Sequence, residues 1–588
     1  MNLPRLWRTA RHLSAGQIRH RMRCRARRVA MSRFPGTVEA RLKRAVDALP
    51  PPDPDAPALK EIAAVALRLQ RMQFGDDPAG VVDGKFVLQN REFDFGSVDD
   101  IDWRGDFSEG DNPLRRMILS YMGYAVPLLS HGRAADLAAV ADIVRSLERA
   151  NGFSVPGAPG DVWNAYSASH RLINLLSALA LYRKADGEKD ADAETEILDH
   201  VRFCASFVAR NLERDLRYNH LLKNYVALAV YAAAAGDVPD AFGDLADGIA
   251  SSIGQCILPD GGHAERSPMY HALSVLDAEM LDAAGFLPPD MLTRMKTALA
   301  AMSHPDGDIA LFNDSWLGEA PEARSVAGLE AGDGVVRLAD TGYVRLAGGG
   351  DAVIFDCGPC GPDDNPGHAH ADFLSVEASI SGERFFVDPG VPTYTAGEAR
   401  DVSRSAASHN GPHVAGAEPI EFWKSFRVGR RGYASELFDD RFNGIAPLWC
   451  AGAQDGYAHL DGDVRRFVGL WPGQAMLIAD LWTGMPGREA ASHFLVPDSW
   501  SRAAGRGPAF RNGDTLVRMS CFAGKVADAG DDMCWPRFEV ERKAYRIEVT
   551  PSPGDGFRTA ALWIAWGDEP AEPSPEALAG LFDTLRAC

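Results

Sequence analysis

The 588 residues are too many for one hydrophobic core, so two or three domains are expected. With 46% hydrophobic and 24% charged residues the chain has an ordinary globular composition. No run approaches the roughly 18 uninterrupted apolar residues a membrane-spanning helix needs. At a formal charge of −20 no nucleic-acid partner is expected.

The charge is unevenly placed. Residues 1–44 hold 13 Lys/Arg and one acid, Glu39, so this arm carries +12 and the remainder −32. In "LWRTARHLSAGQIRHRMRCRARR" apolar residues stand at roughly helical spacing among arginines, the pattern of a basic amphipathic helix, and the apolar core of a secretory signal is absent. Two readings are open. Either the arm makes peripheral contact with an anionic membrane or a polyanion, or it packs its Leu/Trp/Ile face on the acidic body. Nine scattered cysteines do not form a disulfide framework, and the CxxC of Cys357 and Cys360 lacks both a second pair at zinc-finger spacing and a thioredoxin-like context.

Between about 110 and 320 the periodicity is helical. "LRRMILSYMGYAVPLLS", "DLAAVADIVRSLERA", "SASHRLINLLSALALYRKA", "AETEILDHVRFCASFVARNLE", "HLLKNYVALAVYAAAAG", "DLADGIASSIGQCIL" and "PDMLTRMKTALAAMS" each carry apolar residues at i, i+3, i+4 and i+7. Short turns between them predict helical hairpins, stacked as a solenoid or closed into an (α/α) toroid. After about 331 the period becomes two. "GVVRLADTGYVRLAG", "LSVEASISGERFFVDPG" and "GDVRRFVGLWPGQAMLIADLW" predict an antiparallel β-sandwich, with "SGER" as a hairpin. The expected organisation is α+β: a basic arm over 1–50, a helical domain over 51–330 and a β-domain over 331–588.

Polar residues cluster in four stretches. In "RYNHLLKN" Asn219 and His220 open a helix, where an amide and an imidazole could hold a carboxylate, although Asn219 could equally be a plain N-cap. "PDGGHAERSPMYHAL" brings Glu265 and Arg266 to a helix that starts at Ser-Pro, with Tyr270 in its first turn as a potential proton donor or acceptor. In "GHAHADF" His368 and His370 share a face if the segment is extended. His370, Asp388 in "FFVDPG" and His409 in "SHNG" make a two-His, one-carboxylate set that suits zinc. Asp372 has no evident partner.

In combination "NHLLKN", "DGGHAERSPMYH", "FNDS", "GHAHADFLSVEASISGERFFVDPGVPTY" and "SHNG" resemble the heparinase II/III-like polysaccharide lyases, a group that includes alginate and oligo-alginate lyases. The resemblance implies an (α/α) toroid followed by an antiparallel β-sandwich, and β-elimination at a 4-linked uronic acid of an anionic polysaccharide. It implies that Asn219 neutralises the uronate carboxylate and that His220, Tyr270 and His368 are catalytic. It further implies that His370, Asp388 and His409 hold a structural zinc. Arg171, Glu265 and Arg266 are expected to bind substrate, and the cell envelope or periplasm is the expected compartment, with the cytoplasm as alternative. Two other classes compete: a glycoside hydrolase using Asp260 and Glu265 as its carboxylate pair, and a non-catalytic, zinc-braced glycan-binding protein of exopolysaccharide assembly.

Overall fold

A computed structural model describes residues 3–110, 112–185, 190–568 and 572–588. Helices dominate as far as residue 301 and antiparallel sheets follow. The long helices lie where the 3.6-residue period puts them: Ala134–Ala150, Ala165–Lys184, Ala191–Arg210, Tyr218–Ala235, Leu245–Cys256, Pro268–Ala283 and Met291–Ala301. One expected helix is two. Met122 takes a left-handed φ of 55° and ends Leu114–Tyr121 before Ala125–Leu129 begins. Ala165–Lys184 is buried along nearly its whole length, packed against Ala191–Arg210, Tyr218–Ala235 and Pro57–Phe74. Pro57–Phe74 also reaches Pro268–Ala283, so an early helix joins the late ones.

The β half begins with a five-stranded sheet in chain order, Gly334–Leu338, Tyr343–Gly348, Asp351–Asp356, Val376–Ile380 and Glu383–Phe386. Ser381 and Gly382 form the expected hairpin turn with φ of 54° and 86°, the left-handed pair that matches strand twist. A nine-stranded and a four-stranded sheet complete this half, and every named strand pairing is antiparallel. Gly390 in "DPG" has φ 70°, and a Cβ there would run into the carbonyl of Trp535, whose N–H donates to Pro389 O. Glycine lets those two segments touch.

The halves interlock. Val391, Tyr394 and Phe538 from the β half belong to the helical core, and Arg115 reaches Glu539 at 2.6 Å. The arm forms helices Leu3–Ala10, Ala15–Arg33 and Pro35–Val46. Its first two helices lie on the body largely by polar contacts rather than by the Leu/Trp/Ile face, while Met31 and, in the third helix, Leu42 enter the helical core. Arg5 and Arg8 bond Glu421, Gln17 donates to Asp364, and His20 and Arg21 face Leu212 O and Asp215. Cys357 and Cys360 are buried, unpaired thiols in the core of the sheets.

Candidate active site at the junction of helices and sheets

Helix Tyr218–Ala235 starts abruptly. Arg217 and Tyr218 have φ of 61° and 42°, a conformation that costs a non-glycine residue about 1 kcal/mol or more. Both are held by one carboxylate: Arg217 Nη1 and Tyr218 Oη donate to Asp364 at 2.6 and 2.5 Å. Asn219 is therefore not the N-cap. It sits inside the first turn, nearly buried, with Oδ1 unpartnered. His220 follows, its ring on Tyr166 at 4.4 Å and Nδ1 3.4 Å from Glu213. Burial opposes protonation of His220, but Glu213, Glu265 and Asp215 outweigh it and hold its pKa above the ordinary value.

Helix Pro268–Ala283 is set by Ser267, whose Oγ accepts from Tyr270 N, with Pro268 in the first turn. That places Tyr270 against His368, ring centroids 4.1 Å apart, and its hydroxyl 3.3 Å from Tyr394 Oη. Burial raises the Tyr270 pKa well above the ordinary phenol value, so the hydroxyl carries its proton at neutral pH.

"GHAHADF" is a loop, not a strand, so simple alternation does not govern it. One fully buried carboxylate organises it instead. Asp314, in "FNDS", contacts His368 Nδ1 at 3.0 Å, His370 Nε2 at 2.9 Å and Arg400 through two bonds of 2.5 and 2.8 Å. Burial alone would raise its pKa, but Arg400 and the two histidines hold it well below the carboxylate range. Asn313 Oδ1 accepts from His370 N, and Ser315 Oγ bonds Ser267 Oγ, so this loop joins the Tyr270 helix to the histidines. Asp372 has a partner after all: it accepts the Asn313 N–H at 2.7 Å.

The expected zinc set is assembled in part. His370 and His409 lie 5.3 Å apart by ring centroid, and each keeps one buried ring nitrogen without a partner, Nδ1 of His370 and Nε2 of His409. The opposite nitrogens are held by carboxylates, Asp314 and, at 2.7 Å, Asp388. That is the arrangement in which an outer carboxylate orients a metal-ligating imidazole. Burial lowers the His370 pKa to about 3, leaving it neutral as a ligand must be. Asp388, however, bonds His409 rather than standing free, and the three do not bring ligand atoms within 4.8 Å of one another. Among the described residues only His20, Cys24 and Asp215 do so.

The substrate-binding expectations divide. Arg171 is wholly buried, its guanidinium engaged by His200, Ser120 O and Val162 O and stacked on Trp163. Arg266 bonds the carbonyls of Ala264, Asp340 and Thr341. Both hold the fold and neither lines the cavity. Glu265 lies between the catalytic candidates, 3.9 Å from His368 Nε2 and accepting from the Asn219 backbone, with Oε2 unpartnered. Burial raises its pKa while His368 and His220 oppose the rise. Asp260 accepts from Gly262, Asp340 and Thr341 and staples the hairpin of strands Gly334–Leu338 and Tyr343–Gly348 to this loop.

A cavity of about 890 Å³, counted to its open mouth, lies beside this constellation. Asn219, Tyr270 and Tyr394 line it with Tyr121, Tyr166 and His170. Its charged lining is Lys223, paired with Asp277, and Glu319, which accepts from Gln89 and Trp316. Sequence reasoning missed Asp314, Arg400, Tyr394 and Glu213. "FNDS" was a signal for the first and "GVPTY" contains the third, but nothing local marks Arg400 or Glu213.

Residues 331–560 match the family model "Heparinase II/III-like, C-terminal". Among solved structures, a heparinase III superposes with a TM-score of 0.67 at 15% identity, covering 88% of this chain and 93% of that one. A mutant of heparan sulfate lyase HepC from Pedobacter heparinus gives 0.56 at 16% identity, covering 90% and 88%. "FtsZ-localized protein C" of Caulobacter vibrioides is 26% identical over 314 residues, 51% of this chain and 54% of that protein. The chain thus matches about half the length of this curated relative.

Proposed function

We propose that the protein cleaves a uronic-acid-containing polysaccharide by β-elimination, on an (α/α) toroid joined to a β-sandwich. The observation that carries this reading is that Asn219 and Tyr270, from two helix starts, line one cavity, with His368 of a β-half loop against the Tyr270 ring and His220 next to Asn219, and Glu265 between the two histidines. Removing the weakly acidic C5 proton builds enediolate charge on the substrate carboxylate, and the Asn219 amide N–H, on the cavity wall, would donate to it. Because Tyr270 keeps its proton, it suits the acid that protonates the departing O4 oxygen, leaving His220 as the base. His368, oriented by Asp314 and lying against the Tyr270 ring, positions that hydroxyl.

The lining favours a sparsely charged exopolysaccharide or capsular chain over a heavily sulfated one. It offers tyrosine faces and amides, and its single lysine is already neutralised by Asp277. We assign the cell envelope as the place of action, where such chains are found. A glycoside hydrolase reading loses its carboxylate pair, since Asp260 is fully engaged in holding the β-hairpin.

A structural zinc would bind first through His370 Nδ1 and His409 Nε2, bracing the loop beneath His368. Metal analysis of protein purified without chelator should find zinc that His409→Ala loses, and metal-free wild-type protein would remove the assignment. Incubation with uronate glycans should produce the near-ultraviolet absorbance of an unsaturated uronate. Tyr270→Phe should lower kcat by about 10²–10⁴ with an unchanged melting curve. New reducing ends without absorbance would rule out elimination. Glycan binding without turnover would favour the second reading, a binding protein, to which the relative named for its localisation lends weight.

A further inference from the structure

The arm is mounted with many of its large apolar side chains outward, although Met31 and Leu42 are buried. On helix Leu3–Ala10, Arg5 and Arg8 turn inward to Glu421 while Leu3 and Trp7, four residues apart, are 67% and 70% exposed. On helix Ala15–Arg33, Gln17, His20, Arg21 and Cys24 face the body, and Met31 is buried. Ile18, Met22 and Val29, at four- and seven-residue intervals on another face, are exposed, and so is Phe34 beyond its end. Six of the fourteen large hydrophobic side chains found exposed among the described residues therefore fall within residues 3–34. Scattered exposed leucines need no explanation, but this concentration does.

The charge around it names the occupant. Arg19, Arg23, Arg25, Arg27 and Arg28 are all exposed on the same helix, within an arm of +12 on a body of −32. An anionic surface would repel the body and attract this arm alone, so the charge distribution orients the molecule. Basic side chains interleaved with Trp, Ile, Met and Val suit the headgroup region of a bilayer, where arginines meet lipid phosphates and apolar side chains enter the acyl boundary. A soluble polyanion would satisfy the arginines but leave Trp7, Met22 and Val29 in water.

We propose that the arm is a peripheral membrane-docking surface for anionic phospholipid. The surface is part of the folded body rather than a loose tether. Gln17 shares Asp364 with Arg217 and Tyr218, the residues that start the Asn219–His220 helix. A docked molecule thus holds its cleft at a fixed place near the bilayer. This proposal does not depend on the elimination chemistry.

The test is co-sedimentation of the full chain with vesicles of phosphatidylglycerol and phosphatidylcholine, beside vesicles of phosphatidylcholine alone. The expected result is binding to the first, weakened by salt, and little to the second. The pairs Trp7→Ser/Met22→Ser and Arg23→Glu/Arg27→Glu each change only exposed side chains, and each should lower binding by about tenfold or more while melting as wild type. Absent or equal binding to the two vesicle types would overturn the proposal, as would variants that bind as wild type. So would arginine-dependent retention of a soluble polyanionic glycan without vesicle binding, or a dimer that Trp7→Ser dissolves without vesicle binding.

Discussion

Tyr270 and His220 are affected differently by being enclosed. Burial leaves the phenol protonated, whereas the acids around His220 keep its imidazole readily protonated despite burial. A base must be neutral to accept a proton, so turnover should fall as pH drops through the raised His220 pKa. The acid limb of kcat/KM should then report an apparent pKa above 6.5, the ordinary histidine value. Glu213→Gln removes the leading charge that raises it and should move that limb to lower pH. An acid limb that stayed in place in this variant would detach His220 from the base role.

At the scale of elements, the site depends on a loop that carries no regular structure. Asp314 joins the loop before helix Ala323–Ala327, the "GHAHADF" loop and helix Glu398–Ser403 through four contacts, all inside the protein. Asp314→Ala leaves Arg400 as an uncompensated buried cation and should cost about 3–5 kcal/mol of unfolding free energy, read by denaturant titration. The histidines would lose their orientation in the same variant. Because the Asp314 pKa is depressed, its contribution is fully present above the ordinary carboxylate pKa and is lost only as pH falls through the depressed value. A variant that unfolds like wild type would show that the loop is held by its other contacts.

At the scale of the whole molecule, the arm is fastened to the body at several points, and Glu421 is one of them. Hydrogen bonds from Arg8, and then from Arg5, lower its pKa to about 2 against the cost of burial. The attachment is complete above pH 4.5 and is released as pH falls from there toward 2. Glu421→Ala should speed proteolysis and hydrogen exchange within residues 3–10 at neutral pH, with the melting of the core unchanged. Equal protection in the variant would mean that the Trp423–Thr9 and Gln17–Asp364 bonds suffice.

Local pattern determined much of this protein. The 3.6-residue period placed the long helices, the two-residue period placed the Ser381–Gly382 hairpin and its sheet, and Ser267-Pro268 marked the start of the Tyr270 helix. These are short-range effects of side-chain spacing and capping, and one segment suffices to read them. The left-handed break at Met122 and the full extent of the "GHAHADF" loop were not legible, because Met122 rather than its neighbour Gly123 takes the left-handed conformation, and the Pro366-Gly367 turn signal stands only at the start of the loop. Nor was the fate of arginine: Arg171 and Arg266 looked like substrate ligands and became struts, while Arg400 became the partner of Asp314. Only the tertiary structure decides which charges are enclosed together, since a buried ion is tolerated only where distant parts of the chain supply its counter-charge. The arm shows the same division. Its basic amphipathic character was plain in the sequence, but which face would turn outward was settled by Glu421, Asp364 and Asp215, the acids waiting on the body.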